Sequence, residues 1–164
     1  MASHGYVLIE GKTQGLISAG CSSVDSIGNR CQIEHSDEIM VLSFDHNMNN
    51  VGNIKHANHN PIVITKPVDK SSPLLAKALA DREEINCTFN FYRASPQGSR
   101  EKFYSVRIKG GQIANLTLSM PHSILLNDVD PQETVAIRYQ DIIWEHHTAK
   151  TSGYASWGGG EWEQ

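Results

Sequence analysis

Between Ile85 and Ile113 the chain alternates so regularly that few folds are open to it. Ile85, Cys87, Phe89 and Phe91 are separated by Asn86, Thr88, Asn90 and Tyr92, a period of two that gives a β-strand one dry and one wetter face. Ser95, Pro96, Gln97, Gly98 and Ser99 then supply turn chemistry, after which Tyr104, Val106 and Ile108 alternate with Ser105 and Arg107. The two runs read as a hairpin. Gly110-Gly111 permits the positive φ angles of a two-residue turn, so a second turn there and a third strand from Ile113 are expected to complete a meander.

Other runs point the same way. Tyr6–Glu10 is a short apolar run closed by Gly11, and Ile39–Phe44 is a nearly continuous one that fits a central strand covered on both faces. Ile62, Val63 and Ile64 head another strand. Ala114, Leu116, Leu118 and Met120 form the apolar phase of the next, and Glu133–Trp144 is a long final strand. Its apolar phase shifts near Asp141, as a bulge or a change of sheet would make it do. Ser72 as N-cap and Pro73 at the first helical position begin the one helix, in which Leu74 with Ala78 and Leu75 with Leu79 are spaced four apart. A single short helix among strands lies against a sheet rather than crossing between parallel strands.

The segment His46–Asn60 breaks this pattern, with six Asn, three His and one Gly against Met48, Val51 and Ile54 as its large apolar residues. A long polar arm within a compact domain is more often functional than decorative. The tail from about residue 150 to 164 is polar and Gly-rich and is expected to be flexible. With 164 residues in all, a single domain over 1–164 is expected.

Composition excludes several function classes. A net charge of −4 gives no electrostatic reason to bind nucleic acid. The N-terminus lacks the basic flank and apolar core of a signal peptide, and no apolar run is long enough to insert in a membrane. Cys21, Cys31 and Cys87 lack CxxC spacing and read as thiols packed like small hydrophobes. His46, His56 and His59, and His146-His147 beside Glu145, are the only histidine clusters, and neither has the scaffold of a metal site. No nucleophile elbow or phosphate-binding glycine motif occurs, so neither catalysis nor a cofactor is expected. The wetter strand faces are largely uncharged (Asn86, Thr88, Asn90, Ser105, Asn115, Thr117, Ser119), which suits burial against another subunit or a water-filled enclosure. The residues alone imply a mainly β, antiparallel barrel or sandwich with one short α-helix and a long polar arm.

Several segments carry a resemblance. They are Glu10–Cys21 (EGKTQGLISAGC), Asp25–Gly28, His35 with Asp37-Glu38, Phe44-Asp45-His46, Lys66–Lys70 running into Pro73-Leu74-Leu75, Phe91-Tyr92-Arg93 with Ser95 and Gly98, Trp144-Glu145-His146, and Thr151-Ser152-Gly153. In this order and spacing the chain resembles the Hcp family, the haemolysin-coregulated proteins of bacterial type VI secretion systems, in their enterobacterial branch. Lys150 departs from the small residue usual at its place, and the chain ends without an added toxin domain. The resemblance implies a single-domain β barrel of two sheets with one flanking helix, in a structural tube protomer that is not an enzyme. It also implies homo-hexameric rings stacked into an ejected inner tube, with a spike protein at the tip, contractile sheath proteins around it and small secreted effectors in the lumen. Secretion through the machine itself fits a chain made in the cytoplasm without a cleaved leader. Under this reading the arm residues Asn47, Met48, Asn50, Val51, Asn53, Ile54, His56 and His59 contact a neighbouring subunit or ring. The competing expectation is a monomeric barrel that binds or hydrolyses a small ligand.

Overall fold

The computed structural model describes residues 3–52 and 56–157. In chain order its elements are β1 (His4–Gly11), β2 (Gly15–Leu16), the one-turn helix α1 (Val24–Ile27), β3 (Ile39–Val41), β4 (Ser43–Asp45), β5 (Met48–Asn49), β6 (Asn58–His59), β7 (Ile62–Pro67), α2 (Ser72–Ala80), β8 (Ile85–Ala94), β9 (Arg100–Ser119), β10 (Gln132–Arg138), β11 (Asp141–His146) and β12 (Thr151–Ser156). Every strand pairing is antiparallel.

The alternation of β8 works as its sequence requires. Ile85, Cys87 and Phe89 are buried while Asn86 is exposed, and each large apolar side chain so buried contributes about 1.5–3 kcal/mol. The turn after β8 closes through Ser95 N–H to the Ser99 carbonyl (2.6 Å), with Gly98 at φ 88. Gly110-Gly111, by contrast, is not a turn. β9 runs on through both glycines, so the expected three-stranded meander is two strands, the second of them twenty residues long. Its first half pairs with β8 and β11 and its second half with β10. Gly110 bends the strand at φ 64, and a Cβ on Gly111 would lie 2.9 Å from the Ile85 carbonyl oxygen. The positive φ that the sequence signals is used to redirect a strand rather than to reverse it.

β10 and β11 follow the same bend. Arg138 pairs with Gln112 and Asp141 with Lys109, leaving Tyr139 and Gln140 to cross from one sheet to the other opposite the glycines. The long final strand expected over 133–144 is thus two strands in two sheets. One sheet holds β2 and β3 on one edge of β1, then β8, the first half of β9, β11 and β12; the second runs from the remainder of β9 through β10 and β7 to β4. The run Ile39–Phe44 is likewise divided. β3 pairs with β1, β4 pairs with β7, and Leu42 between them is 40% exposed. This run lies at the edges of both sheets and not at a centre, and the hydrogen-bonded ladder is not closed into a barrel.

One core, including Val7, Ile9, Ile64, Phe89, Ile108 and Ile137, fills the space between the sheets, and Leu75 and Ala78 of α2 join it. Ser71 occupies the cap position, so Ser72 is the first helical residue and not the cap expected; the Ser71 hydroxyl donates to Asp69 Oδ1 instead of accepting from the helix. Cys21 and Cys87 are buried free thiols, and burial pushes the Cys21 thiol up to about 11. Of the tail expected to be flexible from about 150 to 164, residues 151–156 form β12, paired residue for residue with β11, and residues 158–164 lie outside the described residues. In the turn before β12 Lys150 sits at φ 59, a left-handed conformation that favours small residues.

Candidate functional site

The arm is a hairpin with a fixed base. β5 and β6 pair Met48 with His59 and Asn49 with Asn58, and Asn60 closes the base by donating to the Asn47 carbonyl at 3.2 Å. The arm is secured to the body by Tyr139, which the crossing between β10 and β11 turns inward at 3% exposure. Its hydroxyl lies 2.8 Å from His46 Nε2 and 2.6 Å from His59 Nδ1. Trp157, just past β12, stacks on His59 with ring centroids 5.8 Å apart and meets Tyr139 edge-on at 5.0 Å.

One hydroxyl has one proton, so Tyr139 donates to one imidazole and accepts an N–H from the other. That arrangement needs the histidine that accepts to be neutral, and protonating both would leave the Tyr139 hydrogen without an acceptor here. Burial holds His46 below the usual histidine range, with the neighbouring His59 adding to the effect, and burial alone lowers His59. Burial also drives the Tyr139 hydroxyl well upward, so it stays protonated. Among the described residues no three His, Cys, Asp or Glu side chains converge as metal ligands. Each of the two histidines uses one ring nitrogen to hold the arm.

The structure spreads the expected contact residues along this hairpin. Asn47, Asn50 and Val51 are exposed, Val51 at 74%, while Met48, His56 and His59 are half-buried. Asn53 and Ile54 lie outside the described residues. His59 belongs to the anchor rather than to the presented surface. Tyr139 and Trp157 were not expected in this role, because their partners are 80 to 93 residues away for Tyr139 and no local pattern marks such a contact.

The opposite end of the second sheet is different in chemistry. Leu118 and Met120, expected on the core side of a strand, are 66% and 72% exposed, and Ile124 and Leu125 follow at 78% and 77%. The connection bearing them is folded on His122, whose Nδ1 accepts the amides of Ile124 and Leu125 at 3.3 and 3.1 Å. Beneath it Lys66 is fully buried. Its ammonium donates to Glu133 Oε1 at 2.6 Å and to the Pro67 carbonyl at 3.0 Å, and it lies 3.2 Å from Asp69 Oδ1. Ser72 binds the same Glu133 oxygen. This network ties β7, β10 and the start of α2 together by buried charge. Asp130 pairs with Arg30 at 2.9 Å on the surface nearby.

The chain is an all-antiparallel fold of two sheets sharing a bent strand, with the arm presented at one end of the second sheet and exposed aliphatic side chains at the other; on the first sheet Ser105 Oγ lies 2.7 Å from His147 Nε2, whose Nδ1 lies 2.8 Å from Glu145 Oε2. The family model for the type VI secretion system effector Hcp matches residues 6–146, and the chain belongs to the Hcp family. It is 33% identical to the Major exported protein of Pseudomonas aeruginosa, with 96% of each chain covered. It is 36% identical over 146 residues to the uncharacterized protein YhhZ of Escherichia coli K12, covering 89% of this chain; the chain spans only 36% of that relative's length. A crystal structure of an Hcp protein superposes with a TM-score of 0.90 at 33% identity, over 97% of this chain and all of the other.

Proposed function

We propose that this chain is the protomer of a type VI inner tube: copies close into hexameric rings, the rings stack, and the tube is driven out by a contractile sheath behind a spike protein. Small secreted effectors ride in the lumen, and the protein leaves the cell as part of the tube. The observation that carries this reading is the match to Hcp proteins along almost the whole chain, and the exposed arm adds to it. A cyclic assembly joins two different patches per subunit. A hairpin pinned at its base by Tyr139, with Val51 held out in solvent, suits one of those patches.

Deleting residues 47–58 tests it. The body is expected to keep its circular dichroism spectrum, while ring mass by light scattering or stacking in negative-stain images falls. Unchanged mass and stacking would refute the role of the arm. An intact chain that stays solitary at high concentration, or that hydrolyses a substrate in a defined pocket, would favour the monomeric barrel instead.

A further inference from the structure

We propose that the turn between β11 and β12, with the aromatic rings beside it, is a binding site for a phosphate monoester carrying a planar ring, a role that does not depend on the tube reading. Two cavities adjoin there. One, of about 290 Å³, is lined by Glu145, His146, His147, Lys150, Thr151 and Ser152. The other, of about 180 Å³, shares His146, Thr151 and Ser152 and adds Tyr104, Trp144 and Gly153. The first is rich in hydrogen-bond donors and the second in aromatic surface.

The turn fixes the donors. Lys150 N–H donates to the His146 carbonyl at 2.8 Å and His147 N–H to the Phe103 carbonyl at 2.9 Å, which closes the turn and ties it to β9. Ala149 N–H donates to His146 Nδ1 at 3.0 Å, so that nitrogen accepts and Nε2 is the N–H left to donate to a ligand. Lys150 holds a left-handed φ of 59 that L side chains rarely adopt, as residues at binding sites often do. Its ammonium forms no ion pair among the described residues. Thr151 and Ser152 add exposed hydroxyls. The one carboxylate of this cavity, Glu145, is engaged by His147 Nδ1 at 2.8 Å. An ammonium, an imidazole N–H and two hydroxyls suit the three oxygens of a phosphate monoester, whose charge strengthens each bond it accepts.

Strand pairing builds the seat for the ring. His146 pairs with Tyr104 on one side and Thr151 on the other, and Trp144 pairs with Gly153. Directly opposed residues share a face, as do residues two apart on one strand, so Tyr104, Trp144 and His146 stand together. A Cβ on Gly153 would lie 3.7 Å from Trp144 Cε3. The glycine therefore leaves the indole without a cross-strand side chain over it, and a planar ring can stack in that place. Because His146, Thr151 and Ser152 border both cavities, one ligand spans them, its ring beside Trp144 and its phosphate at Lys150.

Isothermal titration of the whole chain with phenyl phosphate, inorganic phosphate and phenol tests the site. Phenyl phosphate should bind saturably and about tenfold or more tighter than either fragment. Lys150→Gly, which relieves the left-handed φ, should leave Tm unchanged or higher while weakening both phosphates by about tenfold or more. If the glycine lowers Tm, Lys150→Asp takes its place with the same expected loss, since Asp is tolerated in that conformation. Gly153→Val covers Trp144 and should reduce phenyl phosphate to the affinity of inorganic phosphate, leaving the latter unchanged. The site is overturned by an absence of saturable binding, by phenol or inorganic phosphate binding as tightly as phenyl phosphate, or by phenyl phosphate keeping its affinity in the Lys150 or Gly153 variants.

Discussion

Replacing Tyr139 with Phe removes one oxygen on which two histidines converge, and little else. The aromatic packing against Trp157 and the buried ring are kept, so the loss is confined to the contacts at 2.6 and 2.8 Å. Each such hydrogen bond contributes a net ~0.5–1.5 kcal/mol, so docking of the arm weakens by about 1–3 kcal/mol. At ~1.4 kcal/mol per factor of ten, that is about a 5- to 140-fold rise in the population with the arm undocked. Amide hydrogen exchange reads it directly. The Asn60 amide, bonded to the Asn47 carbonyl, should exchange faster by that factor, while amides of β8 keep their protection because local opening leaves the body folded. If Asn60 is unaffected, or if Asn60 and β8 accelerate together, the hydroxyl does not hold the arm as a separate unit.

The same anchor makes docking depend on pH. His46 and His59 are both lowered by burial, so the docked arm binds fewer protons than the free one and docking strengthens as pH rises. It is complete above the ordinary histidine value of about 6.5 and is lost as pH falls through the lowered values; exchange at Asn60, corrected for its intrinsic rate, should quicken on acidification in the natural chain. Lys66→Met leaves Asp69 and Glu133 buried without their cation, a loss of about 3–5 kcal/mol. At this chain length that lowers Tm by about 6–20 °C in a thermal melt, and a loss below ~1 kcal/mol would mean that water reaches the cluster. Gly111→Ala places a methyl 2.9 Å from the Ile85 carbonyl oxygen and should cost about 1–3 kcal/mol, read as a lower urea midpoint; an unchanged midpoint would show that the bend in β9 yields freely.

The strands were legible where burial follows the local period. Ile85, Cys87 and Phe89 face a continuous core, so alternation reports their environment faithfully. Gly110-Gly111 misleads because a reversing turn and a bend in a continuous strand demand the same positive φ, and only the partners, β10 and β11 bent alongside, distinguish them. Leu118 and Met120 mislead for another reason: alternation detects an apolar face but not what covers it. No local pattern marks Lys66 as buried, since one of its counter-charges is Glu133, 67 residues on. The arm was visible as an excess of Asn and His, whereas its anchor was not, because Tyr139 belongs by pattern to an ordinary strand.

A strand that belongs to two sheets also decides how the molecule bears load. Antiparallel hydrogen bonds lie across the strand direction, so tension along β9 is resisted by its ladders with β8, β10 and β11 acting together in shear, and no single bond is peeled first. The sheets cannot slide past one another without stretching the backbone they have in common. A body built this way passes a force along the strand direction as one stiff unit.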